Sequence, residues 1–139
     1  MNAALVTNIG DLRKINPDEL VSRISEGFEK VYLQRPSIDE QNSWRNSIPA
    51  IINNLPTECD ELPIIVEMRM PIGNERADLI LLGGNNQAIV VELKHWSGSI
   101  SQYGSISNQV TLGGDVGVLR THPGYQCDGF VGKLNNCRL

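Results

Sequence analysis

Cysteine, histidine, aromatic side chains, basic charge and long apolar runs are all scarce in this 139-residue chain, and each shortage closes off a class of function. The cysteines are Cys59, Cys127 and Cys137, an odd set without CxxC spacing, so neither a disulfide framework nor a zinc ribbon is indicated. His95 and His122 are the only histidines, and no metal-ligand spacing links them to Cys127. No stretch reaches the ~20 apolar residues of a membrane span, and MNAALVTNIG lacks the basic start and apolar run of a secretory leader. A soluble, cytoplasmic protein with no membrane partner is therefore expected. The phosphate-loop pattern GxxxxGK[ST] is missing, which excludes an ATPase site within these residues. A formal charge of −4 argues against a dedicated basic nucleic-acid module. It leaves room for a metal-dependent enzyme, whose acidic ligands lower the net charge until divalent cations bind.

What is present suits one globular domain, since 40% apolar and 20% charged residues over this length can bury a real core. Asn16-Pro17, with Glu19 following, is a helix start, and Leu20, Ile24, Phe28 and Val31 recur at helical spacing to about Leu33. Gly27 reads as a weak point inside that helix. Ser37 caps a second helix with Trp44, Ile48, Ile51, Ile52 and Leu55 on its apolar stripe, and Pro49 is expected to kink or split it. PIIVEMRMP reads as a strand between two prolines, RADLILL as a second and AIVVELKHW as a third, the last with an apolar start that suggests burial on both faces. The Ser/Gly-rich stretch that follows keeps only Val110, Thr111 and Leu112 as a convincing strand and reads as an elaborated hairpin or exposed loop. His122-Pro123 opens a last helix to about Leu134, weakened by Gly124, Gly129 and Gly132. The expected order is α, α, β, β, β, loop, α, without repeats or an interdomain linker.

The chemistry concentrates between Arg76 and Lys94. Side chains on a strand alternate faces, so Glu92 and Lys94 project together while Ile89, Val91 and Leu93 take the other side. Asp78 joins them only if it lies opposite Glu92, which requires a turn centred on Asn85; a two-residue turn at Gly84-Asn85 would send Asp78 to the wrong face. Gly83, Gly84, Asn85 and Asn86 make the odd-length loop accessible because all tolerate positive φ. Glu-x-Lys alone is a common strand ending that reaches solvent. An acid on the preceding strand turns it into the minimum kit for metal-dependent phosphodiester cleavage.

Asp followed by Glu-x-Lys on a meander, preceded by a helix and followed by a helix carrying Gln126, resembles the restriction-endonuclease-like PD-(D/E)XK superfamily, whose core is αβββαβ. The segments SWRNSIPAII, EMRMP, ERADLILLGG, VVELKHW and HPGYQ are similar, in that order, to the nuclease-like region preceding the Schlafen-type DNA/RNA helicase domain of certain bacterial P-loop ATPases. The resemblance implies an α/β (α+β) fold: helices, a three-stranded mixed or antiparallel meander, and a C-terminal helix. Residues 1–35 would be a helical extension and 37–139 an αβββα core, all within a single nuclease-like domain. The closing core strand has no counterpart before Leu139, so the chain is expected to be a piece of a longer protein with a helicase or ATPase domain C-terminal to it.

The resemblance also implies roles. Asp78 and Glu92, with the Leu93 carbonyl, would hold Mg²⁺ or Mn²⁺; Lys94 would orient the attacking water or neutralise the developing charge; Gln126 would place Lys94 or contact the backbone of DNA or RNA. The superfamily's first-helix acid has two candidates. Glu40 lies one helical step before Trp44, yet Ser37-x-x-Glu40 is equally a capping box. Glu67, on the neighbouring strand, either serves as that acid or pairs with Arg69 or Arg76. Trp44 belongs to an apolar stripe and reads as core, whereas Trp96 ends the active strand and is open to stacking on a base. Arg69, Arg76, Lys94 and Arg120 form a phosphate-facing patch or ordinary surface charge. The alternative to a nuclease is a non-catalytic module of the same shape that binds nucleic acid or positions a helicase.

Overall fold

The computed structural model describes residues 2–84 and 87–94, together with the backbone of three strands at 100–103, 109–112 and 118–121. The chain divides into two compact units, Met1–Leu93 and Lys94–Leu139. In the first, strand β1 (Ala3–Asn8) is followed by helices α1 (Ile9–Lys14), α2 (Pro17–Tyr32) and α3 (Ile38–Asn54), a single 3-10 turn at Thr57–Cys59, and strands β2 (Pro63–Arg69), β3 (Arg76–Leu82) and β4 (Ala88–Val91). The four strands form one antiparallel sheet in the order β1-β2-β3-β4. The unit is thus α+β, with three helices and an open antiparallel sheet.

The helices start where their capping residues require. Asn16 accepts the Glu19 N–H with Pro17 in the first turn, and Ser37 exchanges hydrogen bonds with Glu40 in a complete capping box. Leu20, Ile24 and Phe28 of α2 and Trp44, Ile48 and Ile52 of α3 are buried, and they meet Ile64 and Val66 of β2 and Leu79 and Leu81 of β3 in one core. Pro49 does not split α3, which runs unbroken from Ile38 to Asn54.

Three sequence expectations are corrected. Residues 1–35 are not wholly helical, because Ala3–Asn8 form an outer strand antiparallel to β2, with Leu5 facing Val66 and Asn8 facing Pro63. Its two alanines are poor strand formers and its apolar alternation is weak, so pairing with β2 rather than propensity makes it a strand. β4 is not covered on both faces: Ile89 is 64% exposed and Ala88 is exposed too, as befits the outer position of β4 among the four strands. Gly27 is a requirement of packing. A Cβ there would lie 1.7 Å from the Ala4 carbonyl oxygen, so the missing side chain is what lets α2 rest on β1.

The second unit contains strands β5 (Ile100–Tyr103), β6 (Gln109–Leu112) and β7 (Val118–Thr121), paired antiparallel in that order. The strand expected at Val110–Leu112 lies inside β6, and the sequence analysis missed its two partners. The helix expected from His122 to Leu134 falls outside the described residues. So do Asn85, His95, Trp96 and Gln126.

The close approach at Gly27 decides the sign of one substitution. In an exposed helix Gly→Ala is stabilising by about 1 kcal/mol. Gly27→Ala is instead expected to destabilise the fold by about 2 kcal/mol or more, because backbone must move to admit the methyl group. Urea denaturation of the two proteins reads the difference directly; a more stable variant would contradict the α2–β1 contact.

Candidate functional site

The β3–β4 hairpin has the register that the Asp78/Glu92 pairing demands. Leu82 faces Ala88, Leu81 faces Ile89, Ile80 faces Val90 and Leu79 faces Val91, all centred on position 85. The Gly83 N–H donates to the Gln87 carbonyl at 2.8 Å and continues the same centring into the loop. The ladder ends at Leu79 and Val91, and the same centring carried one step further would set position 78 opposite position 92. The Leu93 N–H donates to Asp78 Oδ2 at 2.6 Å, a short charge-assisted bond that fixes the carboxylate against the end of β4. Glu92 is half-buried, with Oε2 withdrawn from solvent. Lys94, the first residue of the second unit, is exposed. Val91 and Leu93 pack against the core, as strand alternation from Glu92 requires. Leu93 contributes an N–H to this region, a role the sequence analysis did not assign.

Glu67 is the most unusual residue of the first unit. On β2 it falls between Val66, which faces Leu79, and Met68, which faces Ala77, so its register position is opposite Asp78. Its backbone is left-handed, with φ 52°, in the middle of a strand and on a side chain that has no glycine-like freedom. Its carbonyl accepts the Tyr32 hydroxyl at 3.1 Å. Its carboxylate turns to α3, where Oε1 accepts the Trp44 indole N–H at 2.8 Å, and Oε2 lies 3.5 Å from Arg76 Nε. At 3% exposure Glu67 is the one buried charged residue among those described. Burial first, and then the facing Asp78 carboxylate, push its pKa up to about 7 against the opposing pull of Trp44 and Arg76.

Arg76 and Glu40 complete the cluster. Arg76 Nη2 pairs with Glu40 Oε1 at 2.6 Å, and the guanidinium sits over the rings of Phe28 and Tyr32, 5.0 and 5.4 Å from their centroids. Burial alone would lower the Arg76 pKa, but the Glu67 and Glu40 carboxylates reverse the direction and hold it charged. The other oxygen of Glu40 accepts the Ser37 N–H at 2.7 Å and the Ser37 hydroxyl at 2.9 Å. Burial raises its pKa, and those bonds with the Arg76 pair more than offset the rise, so Glu40 stays below the usual carboxylate range. The capping alternative is thus realised, and both Glu40 oxygens are engaged in structure. Arg76 is committed to two acids and two rings rather than presented to a phosphate. Exposed Arg69 lies 5.9 Å from the Tyr32 ring. Trp44 is core, 1% exposed, and its one polar atom serves Glu67. Burial and the Glu67 carboxylate push the Tyr32 hydroxyl up to about 12, which keeps it a hydrogen-bond donor.

Among the described residues no group of three or more His, Cys, Asp or Glu side chains could hold a metal ion. The donor chemistry of the Asp78 and Glu92 pair suits a hard cation that takes few protein oxygens and retains several waters, as Mg²⁺ does. The structure thus joins Asp78 to Leu93, the neighbour of Glu92, by a hydrogen bond, and draws Glu40 and Glu67 together around Arg76. No protein-family model, curated protein or solved structure matches the chain.

The Glu67 environment has a pH signature. From about 4.5 to about 7 the folded chain holds a proton on Glu67 that the unfolded chain has released. Excess proton binding by the folded state means that its contribution to stability falls as the pH rises through that window, by on the order of a few kcal/mol. Urea denaturation at about pH 5 and about pH 8 is expected to show the loss in the wild type and a smaller one in Glu67→Gln, whose amide oxygen still accepts from Trp44. An equal loss in both proteins would assign the pH dependence to other groups.

Proposed function

We propose that this chain contributes the catalytic region of a metal-dependent nuclease that hydrolyses phosphodiester bonds in DNA, with RNA as the other candidate substrate. The observation that supports the reading is the end of the β3–β4 hairpin, where the register centred on position 85 runs to Leu79 and Val91 and the Asp78 carboxylate takes the Leu93 N–H beside Glu92. β3 fixes the backbone of Asp78, and the Leu93 N–H on the Asp78 carboxylate ties down the residues just past β4, beside Glu92. Asp78 and Glu92 would hold Mg²⁺ or Mn²⁺. Bound there, the cation neutralises phosphate charge and lowers the pKa of a coordinated water. The Leu93 N–H orients Asp78, with the Leu93 carbonyl a further candidate ligand. Lys94, exposed and two residues beyond Glu92, is the candidate to steady the attacking water or the charge that develops on the phosphate. Gln126 keeps the substrate-positioning role that the superfamily resemblance implies. A helicase or ATPase domain is the candidate partner that the superfamily resemblance implies.

A second reading, a non-catalytic nuclease-like module that binds nucleic acid, draws support from the Glu40 geometry. A first-helix acid devoted to a helix cap and an arginine adds nothing to a metal site.

Incubating plasmid and single-stranded DNA with Mg²⁺ or Mn²⁺ separates the readings. Cleavage is expected, and Asp78→Ala or Lys94→Ala should each reduce it by about a hundredfold or more. Cleavage indifferent to both substitutions would trace to a contaminant. Binding without cleavage, in wild type and variants alike, would select the non-catalytic module.

A further inference from the structure

Glu67 is the buried ionisable group that the hydrolase reading leaves without a role. Resting on that reading, we infer that Glu67 is a positioning residue whose negative charge, opposite Asp78 in register but turned onto Trp44, strengthens cation binding at Asp78 and Glu92 without touching the cation.

Two carboxylates at facing positions of neighbouring antiparallel strands ordinarily project side by side and repel. The left-handed backbone at Glu67 interrupts that arrangement. Its carbonyl serves the Tyr32 hydroxyl, and its carboxylate is taken up by Trp44 and Arg76. The charge is diverted rather than lost, and it is carried above the pH of about 7 at which the buried carboxyl gives up its proton. Oε2 is buried, accepts no hydrogen bond, and has the Arg76 guanidinium at ionic distance.

For the fold alone a glutamine would keep most of the arrangement. Its amide oxygen would accept from Trp44 and it would bury no charge, Arg76 would keep the shorter of its two ion pairs, the one to Glu40, and the cost would be an amide NH2 facing the Arg76 guanidinium. In the empty fold the charge of this strained second acid has one partner, Arg76, and faces the Asp78 carboxylate; it gains most when a cation arrives at that carboxylate. A nearby negative charge makes an acidic site more attractive to a cation even from beyond the ligand sphere. Strain of this kind is retained where the surroundings over-determine it, as Tyr32, Trp44 and Arg76 do here.

The test is Mn²⁺ binding to the full 139-residue chain at about pH 8, where Glu67 has lost its proton, followed by the paramagnetic resonance of free Mn²⁺, on wild type, Asp78→Ala, Glu67→Gln and Glu67→Asp. Circular dichroism and a thermal melt accompany each protein. Asp78→Ala should weaken Mn²⁺ binding at least about tenfold, as the hydrolase reading requires. Glu67→Gln, isosteric but uncharged, should weaken it about fivefold, and Glu67→Asp, charged but shorter, should stay within about twofold of wild type. A purely structural Glu67 reverses that order, since the glutamine keeps the Trp44 bond and the aspartate shortens away from it; that order overturns the inference. Wild-type Mn²⁺ affinity in Glu67→Gln beside a defective Asp78→Ala overturns it too, and leaves the hydrolase reading standing. Loss of the fold in Glu67→Gln does the same by making Glu67 structural. Unchanged binding in Asp78→Ala, or none in the wild type, removes the hydrolase reading and the role of Glu67 together.

Discussion

The guanidinium of Arg76 is where four elements of the first unit are tied to one another. It is carried by β3, stacks over Phe28 and Tyr32 of α2, pairs with Glu40 at the start of α3, and lies against the Glu67 carboxylate of β2. A planar cation with donors on three sides is suited to such a junction, and a lysine would satisfy neither the rings nor both acids at once. The junction matters because of what it compensates. Glu67 has 3% of its surface exposed, and breaking a buried pair from one side typically costs about 3–5 kcal/mol by leaving the other charge stranded. Position 76 is also two residues from Asp78 on the same strand, so whatever holds Arg76 holds the strand that presents the catalytic candidate.

Around that junction the chain separates rigid duties from chemical ones. The helix-borne acid is used to start α3, with one oxygen on the Ser37 cap and the other on Arg76. Asp78 is carried by β3 instead, and Glu92 follows directly on β4; a strand fixes a side chain more tightly than a helix terminus that can fray. Glu67 belongs to both groups. Its carboxylate is bound into the packing by Trp44, while its Cα occupies the register position across from Asp78. A left-handed residue within a strand lets one side chain serve the core while its backbone keeps the sheet in phase: pairing on either side of Glu67 continues without a shift, from Val66 with Leu79 to Met68 with Ala77.

Strong local rules were legible in the sequence, and relations between distant segments were not. Asn16-Pro17 and Ser37-x-x-Glu40 announced α2 and α3 because capping is short-range chemistry. The hairpin centre at Asn85 followed from strand alternation together with the requirement that Asp78 and Glu92 share a face, and the observed pairing of Leu79 with Val91 agrees with it. β1 was hidden because Ala3 and Ala4 carry no strand preference, and only Met68 and Val66 across the ladder reveal it. Gly27 was misread for the same reason. Its value lies in Ala4, more than twenty positions away, whereas its cost lies in the helix where it sits. β5 and β7 escaped because four residues each, ISQY and VLRT, are too short to establish the alternation that marks a strand. The site was half legible: Asp78 and Glu92 stood out by type and spacing, while Tyr32 was visible only as the helical step after Phe28, with nothing to say that its hydroxyl meets a strand carbonyl.

The competing catalytic and non-catalytic readings turn on how this chain spends its acids. A module freed from chemistry gains nothing by keeping a carboxylate in a left-handed, buried position opposite another carboxylate, since both the backbone and the charge are unfavourable there. Arg76 does not by itself account for the arrangement, because Glu40 already meets it at 2.6 Å, against 3.5 Å for Glu67. The Trp44 indole does not account for it either, since any uncharged acceptor would satisfy that N–H. What remains is the relation of Glu67 to Asp78. Two acids at facing strand positions, one of them eased aside onto a tryptophan and an arginine, leave the other with a repulsive neighbour that an added positive charge would relieve, and that electrostatic pull is what the catalytic reading rests on.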